Sequence, residues 1–314
     1  MIDRTLVKRG PCICTYKGQI FFSRGDVTIN LDTPMFDKTS AGYGRHGQGL
    51  SDKRLTVELQ PITFTSAEAA VLVPYASAGI GSSIFGAADS PLVIIPLISD
   101  DDQILTIANA AVTTEPNLRF SSQRPLWDSN VTFTGIVGNN LVAALESSYY
   151  AFSTKTGGET PGSTWDPTKD IYLPFAGTFG GTSYEALEGF GVTFNSSFSE
   201  LKPDNNGTTD MFLQTHGAAM SFIPIGITEA QSTALAGNFG TKFGANRTPG
   251  DWVIAGPDEG DLRFTLKDTT PGAQNARVYG AESNRLGELN FEAQRTVNAG
   301  AFNPLYVFDT VPAA

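Results

Sequence analysis

Residues 61–70 read PITFTSAEAA and residues 224–233 read PIGITEAQST. Both open Pro-Ile, reach a Thr at the fifth position, and carry Glu or Gln three residues later. Ile62 and Phe64 alternate as at a strand end. Thr65 with Glu68, and Thr228 with Gln231, have the spacing of a reciprocal capping box, in which each side chain accepts from the other's backbone N–H. Ala and Leu follow in both stretches and favour helix. Each therefore reads as strand, cap and short helix, with Gly79 and Gly237 as expected stops. One capping box is a weak signal. The same series 163 positions apart raises the question of duplication.

Moving outward, the pairing continues. GDVTIN at 25–30 matches GVTFN at 191–195, and each is followed by a long polar loop, 31–53 or 196–209. LTVELQPI at 55–62 then answers AAMSFIPI at 218–225. Ile104-Leu105-Thr106-Ile107 answers Arg263-Phe264-Thr265-Leu266, and Phe133 in SNVTFTG answers Phe291 in GELNFEA. The order is preserved while the spacing drifts, as small loop deletions would produce. The expectation is a mainly β chain built from two duplicated β-sandwich or partial-barrel domains, each with one short helix. The first spans 1–150 and the second 171–314. Residues 151–170, Gly/Pro/Thr-rich through STKTGGETPGSTWDPT at 154–169, read as a linker or excursion.

Composition agrees: 33 Gly, 18 Pro and 40% hydrophobic residues among 314 favour a turn-rich β chain with packed cores. Net charge is −11, and residues 151–314 carry more of the excess, with 10 basic against 18 acidic. No basic cluster grips phosphates, so nucleic-acid binding by charge neutralisation is not expected. The first ten residues lack an apolar core, so no signal peptide is expected, and no apolar run reaches membrane-spanning length. Cys12 and Cys14 are too close for an unstrained disulfide and too few for a metal site, so they read as neighbours on one face of a strand. The four Asn-x-Ser/Thr sequons, from Asn130, Asn195, Asn206 and Asn246, mean little without secretion.

The residues point to no chemistry. His46 and His216 lack partners at metal-ligand spacing and read as surface loop residues. Asp100-Asp101-Asp102 and PDEGD at 257–261 read as acidic turns, not calcium loops. Nucleophile-elbow and phosphate-loop motifs are absent. Trp127, Trp165 and Trp252 offer either a sugar-stacking face or core. No catalytic, cofactor or metal residues are assigned, and no enzyme activity is expected.

The arrangement of each half, with paired strands GDVTIN and LTVELQPI around a long loop and then the capped helix TSAEAAVLV, resembles the major tail proteins of long-tailed bacteriophages. The N-terminal arm MIDRTLVKRG and the following GQIFF add to the likeness. The resemblance implies six tube domains per ring, their strands joined around a channel, with the long loop bridging stacked rings. Members with two tube domains per chain form trimers of pseudo-sixfold symmetry, and the duplication resembles that type. It implies a virion location after assembly in the host cytoplasm, and partners that include the chain itself, tape-measure, tail-tip and terminator proteins, and DNA passing without specific binding. Independently, paired sheet edges, non-closing stacking contacts and long loops with apolar anchors suit a polymer. Met35, Phe36, Tyr43, Phe198 and Leu201 are the candidate ring-stacking residues. Asp26, Glu58, Glu288 and Glu292 are the candidate channel-lining acids. The competing readings are another virion β-protein, such as a head decoration or tail-tip protein, and a carbohydrate-binding β-sandwich.

Overall fold

The computed structural model describes residues 12–32, 34–50, 52, 54–62, 65–85, 90–96, 103–136, 150–155, 171–202, 208–226, 228, 231, 235, 250–271, 277–279, 284–295, 297–298 and 301–313. It is mainly β, with antiparallel sheets and one described helix. The first half holds β1 (Cys12–Tyr16), β2 (Gln19–Phe22), β3 (Thr28–Asp32), β4 (Met35–Ser40), β5 (Gly44–Leu50), β6 (Arg54–Leu59), α1 (Ser66–Leu72), β7 (Leu92–Pro96), β8 (Gln103–Ile107), β9 (Ala110–Thr114), β10 (Leu118–Phe120), β11 (Val131–Gly135) and β12 (Tyr150–Thr154). The second holds β13 (Ala176–Phe179), β14 (Thr182–Ala186), β15 (Phe190–Leu201), β16 (Asp210–Phe222), β17 (Pro224–Ile225), β18 (Gly250–Ala255), β19 (Leu262–Pro271), β20 (Arg277–Tyr279), β21 (Asn284–Leu286), β22 (Leu289–Ala293), β23 (Val297–Asn298), β24 (Ala301–Phe302) and β25 (Tyr306–Thr310).

The strand pairings of the first half recur in the second. The sheet β12-β8-β7-β1-β2 has its counterpart in β25-β19-β18-β13-β14, and β3-β6-β11-β9 in β15-β16-β22 and the C-terminal end of β19. Register follows. Tyr16 faces Gln19 across Lys17-Gly18, and Phe179 faces Thr182 across Gly180-Gly181. Both two-residue turns have positive φ at both central positions (47° and 75°; 57° and 79°), the mirror-image turn whose twist matches a hairpin. Tyr16 pairs with Leu92 as Phe179 pairs with Trp252. Val57 pairs with Phe133 as Met220 pairs with Phe291. The core contacts repeat as well: Tyr16 meets Phe133 with ring centroids 5.0 Å apart, and Phe179 meets Phe291 at 5.6 Å.

The register also adjusts the sequence alignment. Thr28 faces Glu58, while Gly191 faces Ser221. If Leu59 matches Phe222, then Thr28 matches Gly191, not Thr193. The strand slides by two positions, which keeps every side chain on its original face. Tyr150–Thr154, reaching into the expected linker, is the fifth strand of the first sheet: Phe152 faces Leu105 as Phe308 faces Phe264. The first module therefore extends through Thr154.

The helix α1 is capped as expected, with Thr65 Oγ1 accepting from Glu68 N at 3.1 Å. It ends at Leu72, before Pro74, not near Gly79; the residue ahead of a proline is sterically pushed out of helical geometry. In the second module the box is reciprocal: Gln231 N donates to Thr228 Oγ1 at 3.2 Å, and Thr228 N donates to Gln231 Oε1 at 2.8 Å. Gln231 and Leu235 are helical, while Gly237 lies outside the described residues. Asp100–Asp102, Trp165 and most of 154–169 lie outside them too.

The modules share one apolar core. It runs from Cys14, Leu59 and Phe133 through Leu118, Phe120 and Trp127 to Phe190, Trp252 and Phe291. Trp127 and Trp252 are fully buried, so they are core and not a sugar-stacking face. Cys12 and Cys14 lie on β1 and form no disulfide, and burial pushes the Cys14 thiol strongly up.

Candidate functional site

The join between the modules is made by a strand that leaves its own half. Asn117–Asp128 folds as a hairpin, in which Arg119 N donates to Leu126 O at 2.7 Å and Leu118 bridges Trp127. Its strand β10 then adds to the edge of β15, with Leu118 facing Val192, Arg119 facing Gly191 and Phe120 facing Phe190. Gly189 makes this approach possible. Its φ is +82°, and a Cβ there would lie 2.7 Å from the Ser121 Cβ.

Above the join sits a buried polar cluster. Ser196 Oγ donates to Glu115 Oε2 at 2.7 Å and lies 2.8 Å from His216 Nδ1. Tyr306 Oη donates to Glu115 Oε1 at 3.1 Å and is also 3.1 Å from Val73 O at the end of α1. With Ser196 donating to Glu115, its oxygen accepts from His216 Nδ1–H. Burial pushes the Glu115 carboxyl up to about 7, against the opposing hydrogen bonds from Ser196 and Tyr306. Burial, then the charge of Arg295, pulls the His216 imidazole down to about 4. A serine, a histidine and a carboxylate in contact invite comparison with a hydrolytic triad. Here serine and carboxylate crowd the same ring nitrogen, and the His216 and Glu115 side chains are shut from solvent. The arrangement can share a proton and lock the join; it cannot present a nucleophile. His216 is thus a buried junction residue, not the surface loop residue expected, because β16 continues through it in place of a loop. His46 lies on exposed β5.

A second contact ties the long-loop regions together. Asp52, buried, accepts from Thr208 N at 2.9 Å and Thr208 Oγ1 at 2.8 Å. Arg54 bonds Asp52 and forks onto Glu200 at 2.5 and 2.6 Å, and Lys202 meets Glu200 at 2.7 Å. Charge-assisted forked pairs of this kind fix orientation as well as distance.

The loop at 31–53 contains a hairpin, β4–β5, in which Phe36 faces Gly49. The region expected as a loop at 196–209 begins as strand, because β15 runs on to Leu201 and pairs with β16 as a long arm. Met35 (61% exposed), Phe36 and Tyr43 (89%) all stand out on β4–β5, and Leu201 is exposed at the end of β15. Phe198 is placed differently. It packs on Phe85, Ala111, Ile136 and Met211, with its ring centroid 5.5 Å from that of Tyr75, so it serves the join inside the chain.

Of the acids, Glu58 lies half-buried on the outer face of the β3-β6-β11-β9 sheet, in a row with Thr28 and Thr132. Glu292 lies exposed on the outer face of the equivalent second sheet, in a row with Ala219 and Thr270. Glu288 is exposed just before β22, and Asp26 just before β3. The rows that hold Glu58 and Glu292 match in sheet but not in position, since Thr134 is the counterpart of Glu292.

Sequence reasoning missed the cluster and the joining strand. Glu115 lies between β9 and β10 with no motif around it, and only its place in a Thr-rich turn marks it. No group of three or more potential metal ligands occurs among the described residues, and none of their helices is long and apolar enough to cross a membrane. No protein-family model matches the chain, and no curated protein matches it.

Proposed function

We propose that this chain is a self-assembling tube subunit, the two-module type of phage tail-tube protein, that forms rings of three chains and stacks them into a channel for DNA. One observation carries the reading: two copies of a β module are already joined, side by side, by adding a strand of one to the sheet edge of the other. A join of that form propagates, because the second module has the same edges as the first. The exposed hairpin β4–β5 supports stacking, since Met35 and Phe36 at its base and Tyr43 at its turn would otherwise stand in water on an ordered element. The outer sheet faces support a channel wall. They present Thr, Asn and Ser with Glu58 and Glu292, and the cations on the same faces, Arg54 and Arg119, are paired with Asp52, Glu200 and Asp128, a surface that lets polyanions slide.

Negative-stain electron microscopy of the purified full chain at rising concentration tests the proposal. Hollow filaments with regular annular repeats are the expected result. Dispersed single particles at every concentration, with the chain folded by circular dichroism, would remove it.

A further inference from the structure

We infer that a second copy of this chain docks its hairpin β20–β21 on the bare edge of β3, in the register that β10 already uses on β15 within the chain. The partner, a second copy, comes from the assembly reading above; the geometry comes from the internal repeat alone.

The hairpin of β20 and β21 is the counterpart of the joining hairpin. Leu118 bridges Trp127 in the first module, and Arg277 faces Leu286 in the second. These match residue for residue when Ile107 is set on Leu266 and Val112 on Pro271, as the strand registers require. In the first module this hairpin crosses to β15. In the second, its β20 edge has no second-module partner strand among the described residues.

The receiving edge is also repeated, and its two copies differ in one respect. Val192 and Phe194 on β15, beside the covered edge, are buried at 0% and 7% exposure. Their counterparts Ile29 and Leu31 on β3 are 43% and 51% exposed, and every residue of β3 is exposed. β3 pairs with β6 on one side, and no described strand pairs with the other. An apolar, unpaired edge strand is a template for another chain. A second pair of counterparts tells the same story. Tyr306 and Leu305 of the second module contact the segment that follows α1, with Leu305 N donating to Ala76 O at 2.9 Å, and Phe308 is partly buried against the core. The matching strand β12 has Phe152 59% exposed. Among the described residues, the side of module one that corresponds to the covered side of module two is therefore open at β3 and at Phe152.

Transferring the internal register gives the contact: Arg277 opposite Ile29 and Val278 opposite Thr28, antiparallel. Directly opposed residues of such a pair have Cα atoms about 4.5–5.5 Å apart, within reach of a disulfide. The test is Thr28→Cys with Val278→Cys in a Cys12→Ser background of the full chain, oxidised and run on a non-reducing gel. Arg119→Cys with Gly191→Cys reports the same register inside one chain. A parallel variant, Ile29→Lys with Leu31→Lys, alters side chains exposed in the single chain and is checked by its melting temperature. The expected result is a cross-linked species of three chains for Thr28→Cys/Val278→Cys, and loss of assembly at unchanged melting temperature for the lysine pair. Cross-linked rings without filaments would uphold this contact and overturn the tube. Filaments without the cross-link, and unaffected by the lysine pair, would overturn this contact and keep the tube. A folded chain that neither cross-links nor assembles would overturn both.

Discussion

Glu115 and His216 are two titratable groups pressed together by burial, and they pull stability in opposite directions with pH. The folded Glu115, at about 7, holds its proton more tightly than an unfolded carboxyl at 4.5, so its contribution falls as pH rises through that window. The folded His216, at about 4, holds its proton less tightly than an unfolded imidazole at 6.5, so its contribution falls as pH drops through that window. The windows overlap and the slopes largely cancel. Glu115→Gln should expose the histidine: relative to wild type, melting temperature should drop increasingly as pH is lowered from 6.5 towards 4.5. His216→Asn should do the reverse, losing melting temperature as pH is raised towards 7. Scanning fluorimetry across pH reads both; parallel profiles for wild type and variants would refute the coupling. Neither role was legible in the sequence. Burial of a lone histidine depends on a strand running on where composition suggests a loop, and Ser-Ser-Phe-Ser at 196–199 carries no strong strand signal.

The repeated cap and the matched strands around Phe133 and Phe291 were legible, because each is fixed by neighbours in sequence. What escaped was set by distant partners. β4 and β5 are exposed on both faces, so they show no two-residue alternation of polarity; the cross-strand placement of Phe36 opposite Gly49 is visible only in register. β10 is three residues long and takes its partner from the other module. Phe198 has the same apolar character as Phe36, yet the arm of β15 turns it inward onto Tyr75. The element-scale prediction follows from that contrast. Met35→Ser, Phe36→Ser and Tyr43→Ser together should leave the single chain folded, each costing about 0.5 kcal/mol or less as for surface substitutions, while ring stacking fails. Annular particles without long filaments in the microscope are the expected outcome; filaments of normal length would show that β4–β5 is not the stacking element.

For the molecule as a whole, the uneven charge and the placement of Glu58 and Glu292 predict how a tube would treat DNA. Glu58→Lys with Glu292→Lys replaces two acids by two cations on the outer sheet faces, with six sign changes per ring if three chains close. Assembled wild-type protein should leave duplex DNA free, and the variant should retain it, with retention falling steeply as salt rises. Co-sedimentation at two ionic strengths measures this; equal behaviour of both proteins would place those faces away from any DNA path.

The internal join has a mechanical corollary. In the proposed ring of three chains two kinds of corner would alternate: one spanned by a continuous polypeptide and reinforced by the Arg54–Glu200 fork, the other held by docking alone. Dilution or tension would part such a ring at every second corner, so its debris would come in whole chains carrying an even number of modules.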